Sequence, residues 1–308
     1  MAQLVKLYDY ISRYEWNTYR YPTQFIRLKQ ENWKKLYNRW VDKHEIKANE
    51  SEEIPKPLFN RLPWKFLSGK DKELETEKTE DEINGIPETE EGLKQVFLNR
   101  LFPFQLKWAT STITDVSLVD EKVYKDKTLI YFLQRFPDNY FLLYFPVFAV
   151  KNAPVDGEII LISPLGIEII YLLEETNRDA LFKIDDKRHW TVYKGGQQLK
   201  IVSPIIALKR TEQIVKSILK NEQVNYPVRK LVISKTNHIV YTQKPYNTYI
   251  IGKNDYEDWF LQCRSLATPL KGQQIKVTEM ILKYCQSASI RRPEWEEETD
   301  SFSLADEG

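Results

Sequence analysis

Large apolar residues recur along the first 43 positions at helical spacing. Leu4, Leu7, Ile11 and Tyr14 fall on one helix face, and Phe25, Ile26, Trp33, Leu36, Tyr37 and Trp40 form a second such stretch. Pro22 lies between them, and helices usually stop before a proline, so the pattern predicts two helices. Further along, Leu93, Val96, Phe97 and Leu101 predict a helix over residues 90–102, and residues 112–119 read as a strand. Residues 128–136 and 140–150 are rich in aromatic and β-branched side chains around the turn signal Pro137-Asp138-Asn139, which predicts two adjacent strands. Residues 158–162 and 167–173 are nearly continuous apolar runs on either side of Ser163-Pro164-Leu165-Gly166. They read as central strands covered on both faces. Ser203-Pro204 opens a helix that reaches Leu219, with Ser as N-cap and Pro at the first helical position. Short strands follow at Val228–Ile233 and His238–Tyr241, then helices over 256–265 and 275–285. This order predicts an α/β (α+β) fold, a central mixed β-sheet flanked by helices, with an N-terminal helical extension.

Charge divides the chain more sharply than hydropathy does. The whole carries a formal +1, so global charge argues neither for nor against a nucleic-acid partner. Segment 1–43 holds nine Lys/Arg against four Asp/Glu, whereas 71–91 holds ten Asp/Glu against two Lys. The expected organisation is a basic, aromatic-rich helical segment at 1–50 and an irregular segment with an acidic linker at 51–87. The main domain follows at 88–285, and an acidic, disordered tail at 286–308.

The run from Pro154 to Leu173 carries the candidate chemistry. Val155-Asp156 sits at the mouth of one buried strand, Gly166 turns the chain, and a second buried strand follows. Carboxylates at such a strand mouth are what a metal-dependent nuclease needs: they hold Mg²⁺, which activates water and grips the scissile phosphate. A lysine beside them offsets the developing negative charge. The segment resembles the nuclease-related (NERD) domain of the PD-(D/E)XK, restriction-endonuclease-like superfamily. That pattern has an apolar residue plus Asp, a strand, a Gly turn and a strand ending Glu-x-Lys. A Trp follows, then Asn-Pro-x-x-Gln opening a helix. Val155-Asp156, Gly166 and Trp190 stand at matching positions, Ser203-Pro204-Ile205-Ile206-Ala207 stands where the helix motif would be, and Glu91-Gly92 resembles the opening helix. The resemblance spans about residues 88–285 and implies a restriction-endonuclease-like fold.

The departures imply lost catalysis. With the register set by Gly166, the Glu-x-Lys positions are Tyr171 and Leu173, and the helix Gln position is Ala207. Asp156 survives, and one strand carboxylate is a poor Mg²⁺ site. The expectation is a non-cleaving binding or interaction module without a cofactor, associated with nucleic acid or with another protein. The alternative is an active Mg²⁺-dependent nuclease rearranged around Asp156, Glu175 and Glu91. In a strand, Glu175 would share the face of Tyr171 and Leu173, about 13 Å beyond Tyr171, while Glu168 and Glu174 would lie on the opposite face.

Remaining features refine the partner more than the reaction. Aromatics mixed with Arg27, Lys34, Lys35 and Arg39 offer a surface that could stack on bases and track phosphates, or an amphipathic helical pair whose rings pack inward. His44, His189 and His238 have no ligand spacing, and Gly195-Gly196 reads as a hairpin turn. The two cysteines, Cys263 and Cys285, form no CxxC pair. With no signal-peptide layout and no apolar run long enough to span a bilayer, the expectation is a cytoplasmic protein without membrane contact.

Overall fold

The computed structural model describes residues 1–50, 87–150, 153–186 and 188–292. The irregular segment and most of the acidic linker expected from the sequence lie outside the described residues. The chain divides into two compact units, one made of Met1–Ile26 and Leu101–Gly308, the other of Arg27–Arg100.

The first unit is built on a six-stranded mixed sheet. Its strands are β1 (Gln3–Leu7), β3 (Phe141–Tyr144), β6 (Ile159–Ser163), β7 (Gly166–Leu172), β11 (Val228–Ile233) and β13 (Tyr249–Ile251), adjacent in that order. β3, β6 and β7 form an antiparallel meander, β1 adds in parallel to β3, and β11 and β13 continue in parallel beyond β7. Every residue of β6 is buried, as the continuous apolar run predicts. Helix α5 (Pro204–Asn221) covers one face of β7 and β11. There Glu212 of α5 meets Lys230 of β11, and both are buried. Helices α4 (Lys127–Arg135) and α6 (Tyr256–Arg264) lie toward the other face, joined through Tyr131, Phe136, Tyr256 and Phe260. Helix α7 (Gly272–Lys283) packs against β6. A four-stranded sheet, β10 (Gln197–Val202), β9 (His189–Lys194), β8 (Leu181–Ile184) and β12 (His238–Tyr241), is inserted around α5 in the chain order. Its β9–β10 turn is Gly195-Gly196, at φ 55° and 77°. A two-residue hairpin turn of type I′ needs φ > 0 at both positions, and glycine supplies it.

Three expectations change. The first is the helix through Leu4 and Leu7, which is strand β1, buried along its whole length. The helical spacing there is a coincidence of a short apolar strand. What fixes it is long-range: pairing with β3, and Gln105, whose side chain accepts from Leu4 N and donates to Ala2 O, both at 2.6 Å. The second is residues 128–136, which form α4 and not a strand. Asp126 caps it, accepting from Thr128 N (2.8 Å) and Leu129 N (3.1 Å), and Leu129, Phe132 and Leu133 make a buried stripe at i, i+3, i+4. The third is the expected disordered tail. Gln286–Arg292 are ordered and return to the body of the unit, where β14 (Ile290–Arg291) pairs with β2 (Asp115–Val116). Ser287 Oγ accepts from the buried Lys6 amine (2.7 Å) and donates to Glu15 (2.6 Å). Residues 293–308 lie outside the described residues.

The second unit holds the later part of α2 (Tyr21–Glu50) and the start of α3 (Glu90–Thr110). Pro22 stands in the first turn of α2, where its missing N–H costs nothing. Trp33, Tyr37, Trp40 and His44 form a ladder of ring contacts along α2, and Trp33 also meets Phe97 of α3. Trp40 Nε1 donates to Pro87 O at 2.8 Å.

Candidate functional site

The sequence places its candidate site where β5 (Ala153–Asp156), β6 and β7 meet the first turns of α5. Asp156 ends β5 and is exposed. Gly157 then tucks in, with its N–H on Pro146 O (2.8 Å) and no room for a Cβ, which would lie 2.7 Å from the Phe148 ring. Glu158 follows and stands one step before the Ile159–Ile170 pair, across from Tyr171. Its backbone N–H donates to Thr211 Oγ1 (3.1 Å), and its Oε1 lies 4.0 Å from the Arg210 guanidinium. Thr211 in turn reaches back to Ala207 O at 3.3 Å. Asp156, Glu158, Tyr171, Ala207, Arg210 and Thr211 are therefore one neighbourhood.

Its electrostatics favour neutral forms. Burial raises the Glu158 carboxyl above the usual carboxylate range, Arg210 pulls it back, and the charge of Asp156 raises it further. Burial also raises the Tyr171 phenol, and Glu158 adds to that rise. Leu173 is buried and its N–H donates to Ile233 O (2.8 Å), so this position contributes packing and a ladder bond.

The other acids turn elsewhere. Glu175 pairs with Lys194 at 2.6 Å, and its N–H donates to Asn237. Glu174 accepts from the backbone of Lys235 and Thr236, closing the turn after β11. Glu91 is exposed on the first turn of α3, in the second unit. Mg²⁺ requires a near-ideal octahedron of oxygens. Asp156 and Glu158 offer two carboxylates, one desolvated and faced by a guanidinium, and the residues present do not fit that shell. Among the described residues no three His, Cys, Asp or Glu side chains converge as ligands.

Glu158, Arg210 and Thr211 are the members that the motif reading missed. The signals were Glu158 two positions after Asp156, which in a strand shares its face, and Arg210 one helical turn after Ala207. On α2, Arg27, Lys34, Lys35 and Arg39 are all exposed, with Arg27 3.8 Å from Glu31. At 100° per residue Lys35 and Arg39 fall on the side of the helix away from Trp33, Tyr37 and Trp40, while Arg27 and Lys34 flank that ring face, Lys34 one turn before Tyr37. His189 is exposed at the start of β9, 3.8 Å from Asp186, and His238 begins β12.

Among the described residues no helix is long and apolar enough to cross a membrane. No protein-family model matches the chain, and no solved structure matches it. Among curated proteins, it is 34% identical over 113 residues to an RNA 2',3'-cyclic phosphodiesterase of Geobacillus stearothermophilus. The match takes in 34% of this chain and 36% of that protein, so the chain spans about a third of the length of the relative it matches.

Proposed function

We propose that this chain is a nuclease-related module of the restriction-endonuclease-like type that has lost catalysis and serves as a nucleic-acid-associated binding module. The observation that carries this reading is the Glu158–Tyr171 pair. At the strand position where the resemblance calls for a metal-binding acid stands a half-buried phenol, and the carboxyl across from it is held by Arg210. Leu173, at the lysine position, is packed into the core. The element order supports the fold side of the reading: α3, the antiparallel β3, β6 and β7, then α5, then β11 in parallel with β7. The likeness to a protein named for an RNA substrate supports nucleic acid as the partner.

Two hydrolytic readings compete with it. A nuclease rebuilt on Asp156, Glu175 and Glu91 needs Glu175 free, and Lys194 and Asn237 engage it. A cyclic phosphodiesterase would need a general acid and a general base on either side of the phosphate. His238 pairs with Leu181, which pairs with Tyr193, four positions from His189. That separates the two histidines by about 13 Å along the strands and about 10 Å across them.

The test is direct. The full chain, with Mg²⁺ or Mn²⁺, is incubated with single- and double-stranded DNA and RNA and with RNA ending in a 2',3'-cyclic phosphate. All are expected to stay intact over hours. Metal-dependent cleavage that disappears in Asp156→Ala would overturn the proposal.

A further inference from the structure

The face of β7 opposite Tyr171 carries a concavity. Its volume is about 200 Å³, and it opens between the β6–β7 turn, β11, β13 and α6. Glu168 and Arg229 are partners in the parallel β7–β11 register and both line it. Tyr140, Tyr249 and Trp259 supply flat aromatic walls. Two polar atoms here are buried without a hydrogen-bond partner: Glu168 Oε2 and Trp259 Nε1. A buried acceptor and a buried donor left unmatched on the wall of one cavity call for a ligand that satisfies them.

The rest of the lining narrows that ligand. Burial raises the Cys263 thiol to about 12, Glu168 adds to the rise, and a hydrogen bond with Tyr140 opposes it. A thiol so protonated is no nucleophile at neutral pH, so the cavity binds and does not react covalently. The space is below the range of about 300–1,000 Å³ typical of small-molecule sites, which suits one flat heterocycle. The ligand must present donors to Glu168, and it must be neutral there, since Arg229 beside Glu168 opposes a cation. Anionic charge is welcome at the rim instead. The Arg229 guanidinium lies 5.9 Å and the Lys244 amine 5.3 Å from the Tyr249 ring. That ring is 46% exposed, and Tyr246 beside it is 93% exposed. Aromatic rings mixed with cations at a groove mouth are what stack bases and meet phosphates of single strands.

We infer that this cavity takes one nucleotide with a guanine-type base, its amide N–H and amino group donating to Glu168 and its phosphate meeting Arg229 and Lys244. The inference rests on the nucleic-acid reading above for its ligand class. The same chemistry is offered by a free nucleotide or by an unstacked residue of a single strand, since a base must leave the stack to be read on its Watson–Crick edge.

Titration calorimetry of the full chain decides it, with GMP, UMP, and the RNAs UUGUU and UUUUU as probes. GMP is expected to bind at least about tenfold more tightly than UMP, the ordinary discrimination of a two-point base contact. Glu168→Gln is expected to erase that preference while its melting midpoint stays at or above the parent's. Arg229→Gln, at an exposed position, is expected to weaken GMP and UMP alike. UUGUU bound more tightly than GMP identifies the strand as the source of the base, and the reverse identifies the free nucleotide. Equal affinity for GMP and UMP, no GMP binding at millimolar concentration, or a preference kept in Glu168→Gln overturns the inference. None of those results touches the absence of cleavage, and cleavage in the nuclease assay would leave a guanine preference standing.

Discussion

At the scale of single residues, Glu168 is an acid that weakens the fold holding it. Burial raises its carboxyl above the ordinary value of 4.5, against a smaller opposing pull from Arg229. Between 4.5 and the raised value the folded chain binds more protons than the unfolded chain. Stability therefore falls as pH rises through that window, and the loss is complete above the folded value. Glutamine keeps the shape and removes the ionisation. Glu168→Gln is expected to melt above the parent at pH 7.5, by about 2–4 °C for each kcal/mol recovered. The difference should shrink as pH is lowered past 4.5, where the carboxyl is protonated in both states. Melting curves at a series of pH values check it, and a parent that matches the variant at pH 7.5 would mean that Glu168 is already satisfied. A residue that costs stability is retained most readily where it binds something. Lys6 makes the contrast: it is fully buried, but Tyr10 O, Ser287 and Glu15 surround its amine, so it ties segments together.

At the scale of elements, Gly166 is the joint on which the β6–β7–β11 arrangement turns. Ile167 N donates to Pro227 O at 2.8 Å, and a Cβ at 166 would lie 2.9 Å from that same oxygen. Gly166→Ala therefore pushes β7 and β11 apart where Glu168 and Arg229 pair. It is expected to lower stability by about 1–3 kcal/mol, the usual cost of forced overpacking, as read by denaturant unfolding. An unchanged unfolding midpoint would show that the Pro227 backbone yields freely. The sequence made this joint legible because β6 and β7 are covered on both faces, and burial on both faces leaves a continuous apolar run. The alternation that puts Glu168 opposite Tyr171 was legible for the same reason. Strand β1 was not legible: five apolar-dominated residues suit either geometry, and what decides is β3 and the Gln105 side chain about a hundred positions away. Nor was α4 legible from its composition, since aromatic and β-branched residues favour strands. Its Asp126 cap and its three-residue buried stripe outweighed that tendency. In the candidate site, the strands that carry Asp156 and Tyr171 were legible from the runs around them. The contact of Glu158 with Arg210 was not, because it is made by a helix some fifty residues on, after three strands of the inserted sheet.

At the scale of the whole molecule, the net charge of +1 means that any affinity for a polyanion must come from local asymmetry. Two sets of residues would do different work. Lys34, Lys35 and Arg39 are exposed on α2, with Lys35 and Arg39 on the side away from its aromatic ladder, so their place is to meet phosphates. Contacts of that kind position a strand and carry no sequence information. Glu168, in contrast, offers an acceptor inside a cavity and no attraction for phosphate. Salt separates the two roles. Each phosphate neutralised on a single strand contributes about 0.7 to the slope of log affinity against log salt, so replacing Lys34, Lys35 and Arg39 by Gln together should reduce that slope by about 2. On a long U-rich strand that loss should not depend on whether guanine is present, whereas Glu168→Gln should leave the slope alone and remove the guanine preference. Fluorescence anisotropy with labelled RNAs from about 50 to about 300 mM salt, a range that shortens the screening length roughly twofold, measures both. If the triple variant binds as tightly as the parent at every salt concentration, α2 plays no part, and the rim cations Arg229 and Lys244 would have to carry the phosphate contacts alone.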